Sequence, residues 1–316
     1  MTTEGETSEE TELSPHDAFG ALANETRMEI LQILGQADGV MTFSELRDEL
    51  GFRDPGNFQY HLNKLTDHFV RHSDDGYELK HPGRRVIEAI LSGAVTGGPD
   101  LEATPIDASC TICGGSTEVS YRDERMLWRC TECVGRFSGV ESTSKAFGVL
   151  PEGTLELAYL PAAGTQNRSP EEMLEASDVW SAAEDVTITN GVCPRCSGTV
   201  EDSLRICETH DDTGELCDDC GSRVGVLVSS RCTHCGHTKV STIVIRLLAD
   251  PTFRAAFDGR GVDVISTDDA DLSSFVVVDH EVVETEPFRA RITHVIKGDE
   301  VSFVIDDDFA VVEMIE

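Results

Sequence analysis

The apolar positions keep a helical period near the N-terminus and a strand period near the C-terminus. Phe19, Leu22 and Ala23 stand at i, i+3 and i+4. Asn24 then offers an N-cap, and Met28, Leu31 and Leu34 carry the stripe on to Gly35. Two successive helices are predicted. Thr42 and Glu45 have capping-box spacing and open a short helix through Phe43, Leu46 and Leu50, which Gly51 can close. Asp54 as N-cap and Pro55 at the first helical position start another helix, in which Phe58, Leu62, Leu65 and Phe69 share a face. A short helix, a short turn and a second helix form a helix-turn-helix. Val70-Arg71-His72 and Tyr77-Glu78-Leu79 then flank a Ser-Asp-Asp-Gly turn, a hairpin that would serve as a wing. Pro82 opens a last helix with Val86, Ile87, Ile90 and Leu91, whose apolar face covers the domain or pairs with a second copy, so a homodimer is expected.

Further along, residues 154–160 alternate like a strand, residues 164–168 read as a polar loop, and Ser169-Pro170-Glu171-Glu172 opens a helix bearing Met173, Leu174 and Trp180. Asp250-Pro251 starts a helix through Phe253 and Phe257 that ends near Gly259. Phe288, Ile292 and Val295 precede a Lys297-Gly298-Asp299 turn, and Val301, Phe303 and Ile305 alternate after it. A final strand is expected from Phe309 to Met314.

Between these elements lie eleven cysteines. No basic start followed by an apolar run suggests a signal peptide, and no apolar stretch approaches the ~20 residues that span a bilayer. A soluble, cytoplasmic protein without a membrane partner is expected, and in a reducing compartment cysteines read as metal ligands rather than disulfides. Cys110, Cys113, Cys130 and Cys133 form C-x2-C-x16-C-x2-C, the spacing of a four-thiolate zinc ribbon with a hairpin between its knuckles. Cys193, Cys196, Cys207, His210, Cys217, Cys220, Cys232 and Cys235 supply eight further ligands, enough for two ions. Taken in chain order they give C-x2-C-x10-C-x2-H and C-x2-C-x11-C-x2-C, two near-repeats; a cross-braced pairing of the same ligands is the alternative. His234 and His237 lie beside a knuckle and are read as solvent-facing or supporting groups. Four protein ligands per site leave no open position, so up to three Zn2+ ions are expected to be structural. No metalloprotease helix, Walker loop, nucleophile elbow, dinucleotide fingerprint or deaminase pair is present, and no enzyme is predicted.

The predicted class is α+β: a winged helix-turn-helix, zinc ribbons and a small C-terminal α+β domain. The expected segments are a disordered acidic tail (1–13), a DNA-binding domain (14–96), a zinc ribbon (107–138), a connecting strand and helix (139–190), a double zinc ribbon (191–240) and a small α+β domain (241–316).

Charge changes this picture in one respect. The net charge is -34, from 59 acidic and 25 basic side chains spread along the chain. Such an acidic surface suits a halophilic cytoplasm, where repulsion is screened within ~3 Å at 1 M salt; an ordinary acidic protein that avoids nucleic acid is the alternative. Residues 54–85, however, balance Lys64, Arg71, Lys80, Arg84 and Arg85 against Asp54, Asp67, Asp74, Asp75 and Glu78. A locally neutral segment in so acidic a chain favours contact with double-stranded DNA. On the second helix Asn57, Gln59, Tyr60, Asn63 and Lys64 lie off the apolar stripe and could reach base edges or phosphates, although any exposed helix face carries polar groups.

The stretch ALANETRMEILQIL (residues 21–34), the NFQYHLNKL helix and the hairpin after it resemble the ArsR-like winged-helix transcription regulators, particularly the acidic haloarchaeal branch with Cys-rich C-terminal regions. The resemblance covers about residues 14–95. It implies sequence-specific DNA binding, but not metal sensing, because the cysteine or histidine pattern of the family's metal sensors is missing from the recognition and last helices. Two other roles fit the same residues: a general initiation factor contacting RNA polymerase and the transcription machinery, and a zinc- or redox-responsive switch.

Overall fold

Capping chemistry sets the first helices. In the computed structural model, which describes residues 13–66, 68–142, 147–207, 209–210, 216–220, 223–262, 264 and 279–316, the chain is α+β and divides into two units, Met1–Thr96 and Gly97–Glu316. The acidic tail expected over residues 1–13 lies, except for Leu13, outside the described residues.

In the first unit, α1 (Pro15–Leu22) is followed by α2 (Glu25–Gln36), where the Arg27 N–H donates to Asn24 Oδ1 at 3.2 Å. Helix α3 (Phe43–Glu49) starts with the expected capping box: the Thr42 N–H donates to Glu45 Oε2 at 2.8 Å, and the Glu45 N–H to Thr42 Oγ1 at 3.3 Å. Helix α4 (Pro55–Asn63) starts where Asp54 Oδ1 accepts the N–H groups of Gly56 and Asn57. Strands β1 (Val70–Ser73) and β2 (Gly76–Leu79) form the hairpin, and α5 (His81–Leu91) closes the unit. Ile30, Leu31, Leu46, Phe58, Leu62 and Leu65 are wholly buried in one core, each side chain worth ~1.5–3 kcal/mol of transfer free energy. Gly76 is obligatory here. A Cβ on it would lie 2.3 Å from the Met41 carbonyl oxygen, where Met41 and Tyr77 exchange two backbone hydrogen bonds and tie the hairpin to the start of α3. Phe19 departs from expectation. It is 73% exposed, and Ala18, Ala21 and Leu22 turn to the core in its place.

The second unit is built on three antiparallel sheets. The first has the order β3 (Leu101–Ser109), β4 (Ser116–Arg122), β5 (Arg125–Cys130), β6 (Thr154–Tyr159), and helix α6 (Pro170–Thr189) packs on it through Met173 and Leu174. The segment expected to connect two ribbons therefore supplies an edge strand and a core helix. The second sheet is β7 (Val200–Ile206), β8 (Val226–Cys232) and β9 (Thr238–Thr242). After α7 (Ile243–Leu247) and α8 (Pro251–Asp258) comes a meander of β10 (Asp279–Thr285), β11 (Phe288–Ile296), β12 (Asp299–Ile305) and β13 (Val311–Ile315). Val226 and Val228 share a core with Phe253, Phe257, Ile292 and Phe303, so the β7–β8 hairpin and the C-terminal sheet fold around common apolar contacts. Leu127 of the first sheet likewise packs with Leu227 of the second.

Strand parity corrects one expectation. Phe288, Ala290, Ile292, His294 and Ile296 face inward on β11, which leaves Val295 72% exposed. Alternation has period two, so a side chain an odd number of residues from Phe288 must point outward. His294 takes the inner position, against the rings of Phe253, Phe257 and Phe303.

Helix α6 also carries charge inward. Asp185 meets Lys239 Nζ of β9 at 2.6 Å, Arg195 meets Glu184 at 2.8 Å, and both carboxylates are nearly inaccessible. Among the described residues no helix is long and apolar enough to cross a membrane.

Candidate metal centres

All twelve predicted ligands fall into three four-residue clusters, and in each the ligand atoms lie within 4.8 Å of one another. The members are as expected from the sequence; the pairing of the last eight is not.

The first centre is made by a tight hairpin. Asp123 and Glu124 both adopt positive φ, 50° and 55°, the geometry of a two-residue turn whose twist matches that of the strands it joins. Strands β4 and β5 then run in register, with Thr117 opposite Cys130, and the two knuckles arrive together. Cys110 Sγ lies 3.8 Å from Cys133 Sγ, and Cys113 Sγ 3.6 Å from Cys130 Sγ. Four sulfurs around a zinc-sized ion at ~2.3 Å stand about 3.8 Å apart. A disulfide requires about 2.05 Å, and all eleven cysteines are free.

In the second region the strands separate what chain order would have joined. Strands β7 and β8 pair from Val200 opposite Cys232 to Ile206 opposite Val226. The 7 residues of β7 extend roughly 20 Å, placing the Cys193–Cys196 knuckle at one end of the hairpin and Cys207 at the other. Cys193 and Cys196 therefore join Cys232 and Cys235, with Sγ separations of 3.7 Å (Cys193 to Cys235) and 3.5 Å (Cys196 to Cys232). At the far end Cys207 and His210 join Cys217 and Cys220: Cys207 Sγ is 3.9 Å from Cys217 Sγ, and His210 Nδ1 is 3.4 Å from Cys220 Sγ. The centres are nested, neither sequential nor cross-braced. A rigid extended strand cannot fold back within itself as two short hairpins would require.

Backbone groups prepare the sulfurs for a cation. The Glu132 and Cys133 N–H groups donate to Cys130 Sγ, and those of His234 and Cys235 to Cys232 Sγ, at 3.3 to 3.5 Å. Burial raises the Cys130 thiol, but these donors outweigh it and bring it to about 7. Its neighbour Cys133 is pushed up to about 12, first by burial and then by the surrounding sulfurs. Four thiols this close cannot all ionise without a cation among them, and a divalent ion removes that conflict. Small residues admit the ligands. A Cβ at Gly225 would come within 2.7 Å of the His210 ring, and one at Gly198 within 3.2 Å of both Cys196 Sγ and Cys232 Sγ.

Supporting groups escaped the sequence reading. Glu132 lies inside a knuckle and accepts the Ser116 N–H at 2.8 Å, which holds its carboxyl below the ordinary range. Thr209 places its hydroxyl 3.7 Å from Cys207 Sγ and donates to Asp219. Position within the knuckles is the only sequence signal for either. His234 and His237 belong to none of the three clusters.

The candidate DNA-contacting residues sit together only in part. Asn57, Tyr60, Asn63 and Lys64 are exposed along α4 and its C-cap, and half-buried Gln59 donates to Asn63 Oδ1 at 2.6 Å. Lys64 Nζ stands 5.7 Å from the centre of the Tyr60 ring. Arg71 pairs with Glu78 across the hairpin and Arg85 with Glu88 along α5, each at 3.0 Å. Arg84 is exposed, and Lys80 is the half-buried N-cap residue of α5.

Residues 107–311 match the family described as Domain of unknown function (DUF7351), and the chain belongs to that family. Residues 15–90 match a second description, Domain of unknown function (DUF7347). No curated protein and no solved structure matches the chain.

Proposed function

We propose that this protein is a sequence-specific, DNA-binding transcription regulator of the ArsR-like winged helix-turn-helix kind, acting in a salty cytoplasm as a homodimer, with structural zinc in its second unit. The observation that carries this reading is the two-faced character of α4. Phe58 and Leu62 are wholly buried, while Asn57, Tyr60, Asn63 and Lys64 project from the opposite side. Amide and ammonium groups on an exposed helix preceded by a shorter one are suited to base edges and phosphates in a major groove. The ion pairs of Arg71 and Arg85 are exposed and individually weak, so phosphates can compete for both guanidinium groups.

Zinc is proposed because thiolate and imidazole donors in closed sets of four suit that ion. When bound it supplies a divalent charge that fixes two knuckles to each other. The ligands come in pairs from two separate knuckles, so each ion takes the place of apolar core at a hairpin end.

Genome-wide mapping of bound DNA at native salt tests the regulator reading, with Asn63→Ala and Lys64→Ala as controls. Discrete inverted-repeat sites lost in the controls are expected. Signal spread evenly over active promoters would replace a regulator by a general initiation factor. Metal analysis tests the zinc: three ions per chain are expected, and fewer than two would overturn the assignment.

A further inference from the structure

The second unit contains a cavity of about 730 Å³ walled by β5 and β6 of the first sheet, the inner side of α6, and β9 of the second sheet. Its size lies within the ~300–1,000 Å³ of small-molecule sites. Two features set it apart from a packing defect.

The first is a set of polar groups without partners. Trp128 is 7% exposed and Thr242 3% exposed; both line the cavity, and among the described residues neither Trp128 Nε1 nor Thr242 Oγ1 has a hydrogen-bond partner. Thr111 Oγ1 and His237 Nε2, which also line the cavity, are in the same condition. A buried polar atom left unsatisfied is costly, and four around one space are more than folding normally tolerates.

The second is a surplus carboxylate. Lys239 is engaged by Asp185 and by Ser181, Arg195 by Glu184 and the face of Tyr159, Arg125 lies 4.9 Å from the centre of the same ring, and Arg136 is buried in the lining. Glu156 projects from β6 into the same lining, half-buried, and makes no hydrogen bond or ion pair among the described residues. Burial raises its carboxyl above the ordinary range, against the pull of Lys239 and Arg136. Acidic side chains outnumber basic ones in the lining, and Trp128 and Phe137 supply aromatic surface beside them. Aromatic faces attract organic cations, and a carboxylate beside them adds a charge of opposite sign.

We infer that this cavity is a binding site for a small organic amine, with its ammonium group at Glu156 and its apolar body against Trp128 and Phe137. An acceptor on the ligand would also satisfy the Trp128 indole N–H. The walls come from both zinc-bearing sheets and from α6, so an occupant would tie together parts that otherwise meet through a buried charge network and the apolar contact of Leu127 with Leu227. The inference does not depend on DNA binding.

The test uses the full-length, metal-loaded protein. The chain has two tryptophans, so Trp180→Phe leaves Trp128 as the sole fluorescent reporter, inside the cavity. Phenethylamine, phenethyl alcohol and phenylacetate are titrated as cationic, neutral and anionic probes of similar shape. Saturable change in Trp128 emission is expected for phenethylamine, with affinity at least about tenfold above the alcohol and no response to phenylacetate. Glu156→Gln should remove that preference while keeping the metal content. Comparing probes on the parent protein needs no folded Glu156 variant. Equal or tighter binding of phenylacetate, or no saturable response to any probe, overturns the inference.

Discussion

Cys196 and Cys232 are 36 residues apart in the chain, yet their sulfurs are 3.5 Å apart, whereas Cys196 and Cys207 stand at opposite ends of strand β7. That relationship fixes which ligands share an ion. Serine substitutions turn it into a metal count. Cys196→Ser and Cys232→Ser should each remove one of the three proposed zinc ions, and the double variant no more than one. Cys196→Ser combined with Cys207→Ser should remove two. Sequential pairing requires the reverse, and a colorimetric zinc-release assay distinguishes the two.

Gly225 opens space for the His210 ring, and a methyl group there would stand 2.7 Å from it. Gly225→Ala should selectively weaken the centre formed by Cys207, His210, Cys217 and Cys220, at an overpacking cost of ~1–3 kcal/mol. Zinc competition with a chelator should show one ion released early and two retained. Unchanged release of all three would contradict the geometry.

His294 is buried among aromatic rings, and burial lowers its pKa to about 4. In the unfolded chain the imidazole titrates at ~6.5. The unfolded state therefore binds the extra proton between these values, and stability rises with pH across that window. The contribution is complete above pH ~6.5 and falls by up to about 3 kcal/mol as the pH drops to ~4. His294→Leu should flatten this part of the denaturant-unfolding profile; an identical slope in the variant would rule the histidine out as its source.

Lys239 neutralises Asp185 inside the second unit. Lys239→Met should destabilise that unit by ~3–5 kcal/mol, because a buried carboxylate loses its partner. Replacing both, with Lys239→Met and Asp185→Leu, should recover most of the loss. Chemical denaturation of the metal-loaded protein reads the difference, and a double variant as unstable as the single one would refute the pairing.

If α4 reads DNA, its residues should fail in different ways. Asn63→Ala should cost ~1–3 kcal/mol at particular base pairs, and Lys64→Ala should weaken all sequences while lowering the salt slope by about one. Fluorescence anisotropy on mapped sites over a salt series separates these outcomes. Equal losses on every sequence for Asn63→Ala would exclude a base contact.

Local chemistry was legible in the chain. Asn24, the Thr42–Glu45 box, Asp54-Pro55, Ser169-Pro170 and Asp250-Pro251 each mark a helix start that the structure keeps, because a cap is completed within three residues. Membership of all twelve ligands in metal clusters was legible for the same reason: a knuckle is a short-range motif. What the tertiary structure decided is long-range. Strand register chose the partners of Cys196, and strand parity put His294 inside and Val295 outside. The sequence order of Glu156, Glu184, Asp185 and Lys239 carries no period that would reveal their common cavity. Such groups are brought together by the packing of β6, α6 and β9, where apolar contacts such as Leu127 with Leu227 determine which distant charges must meet.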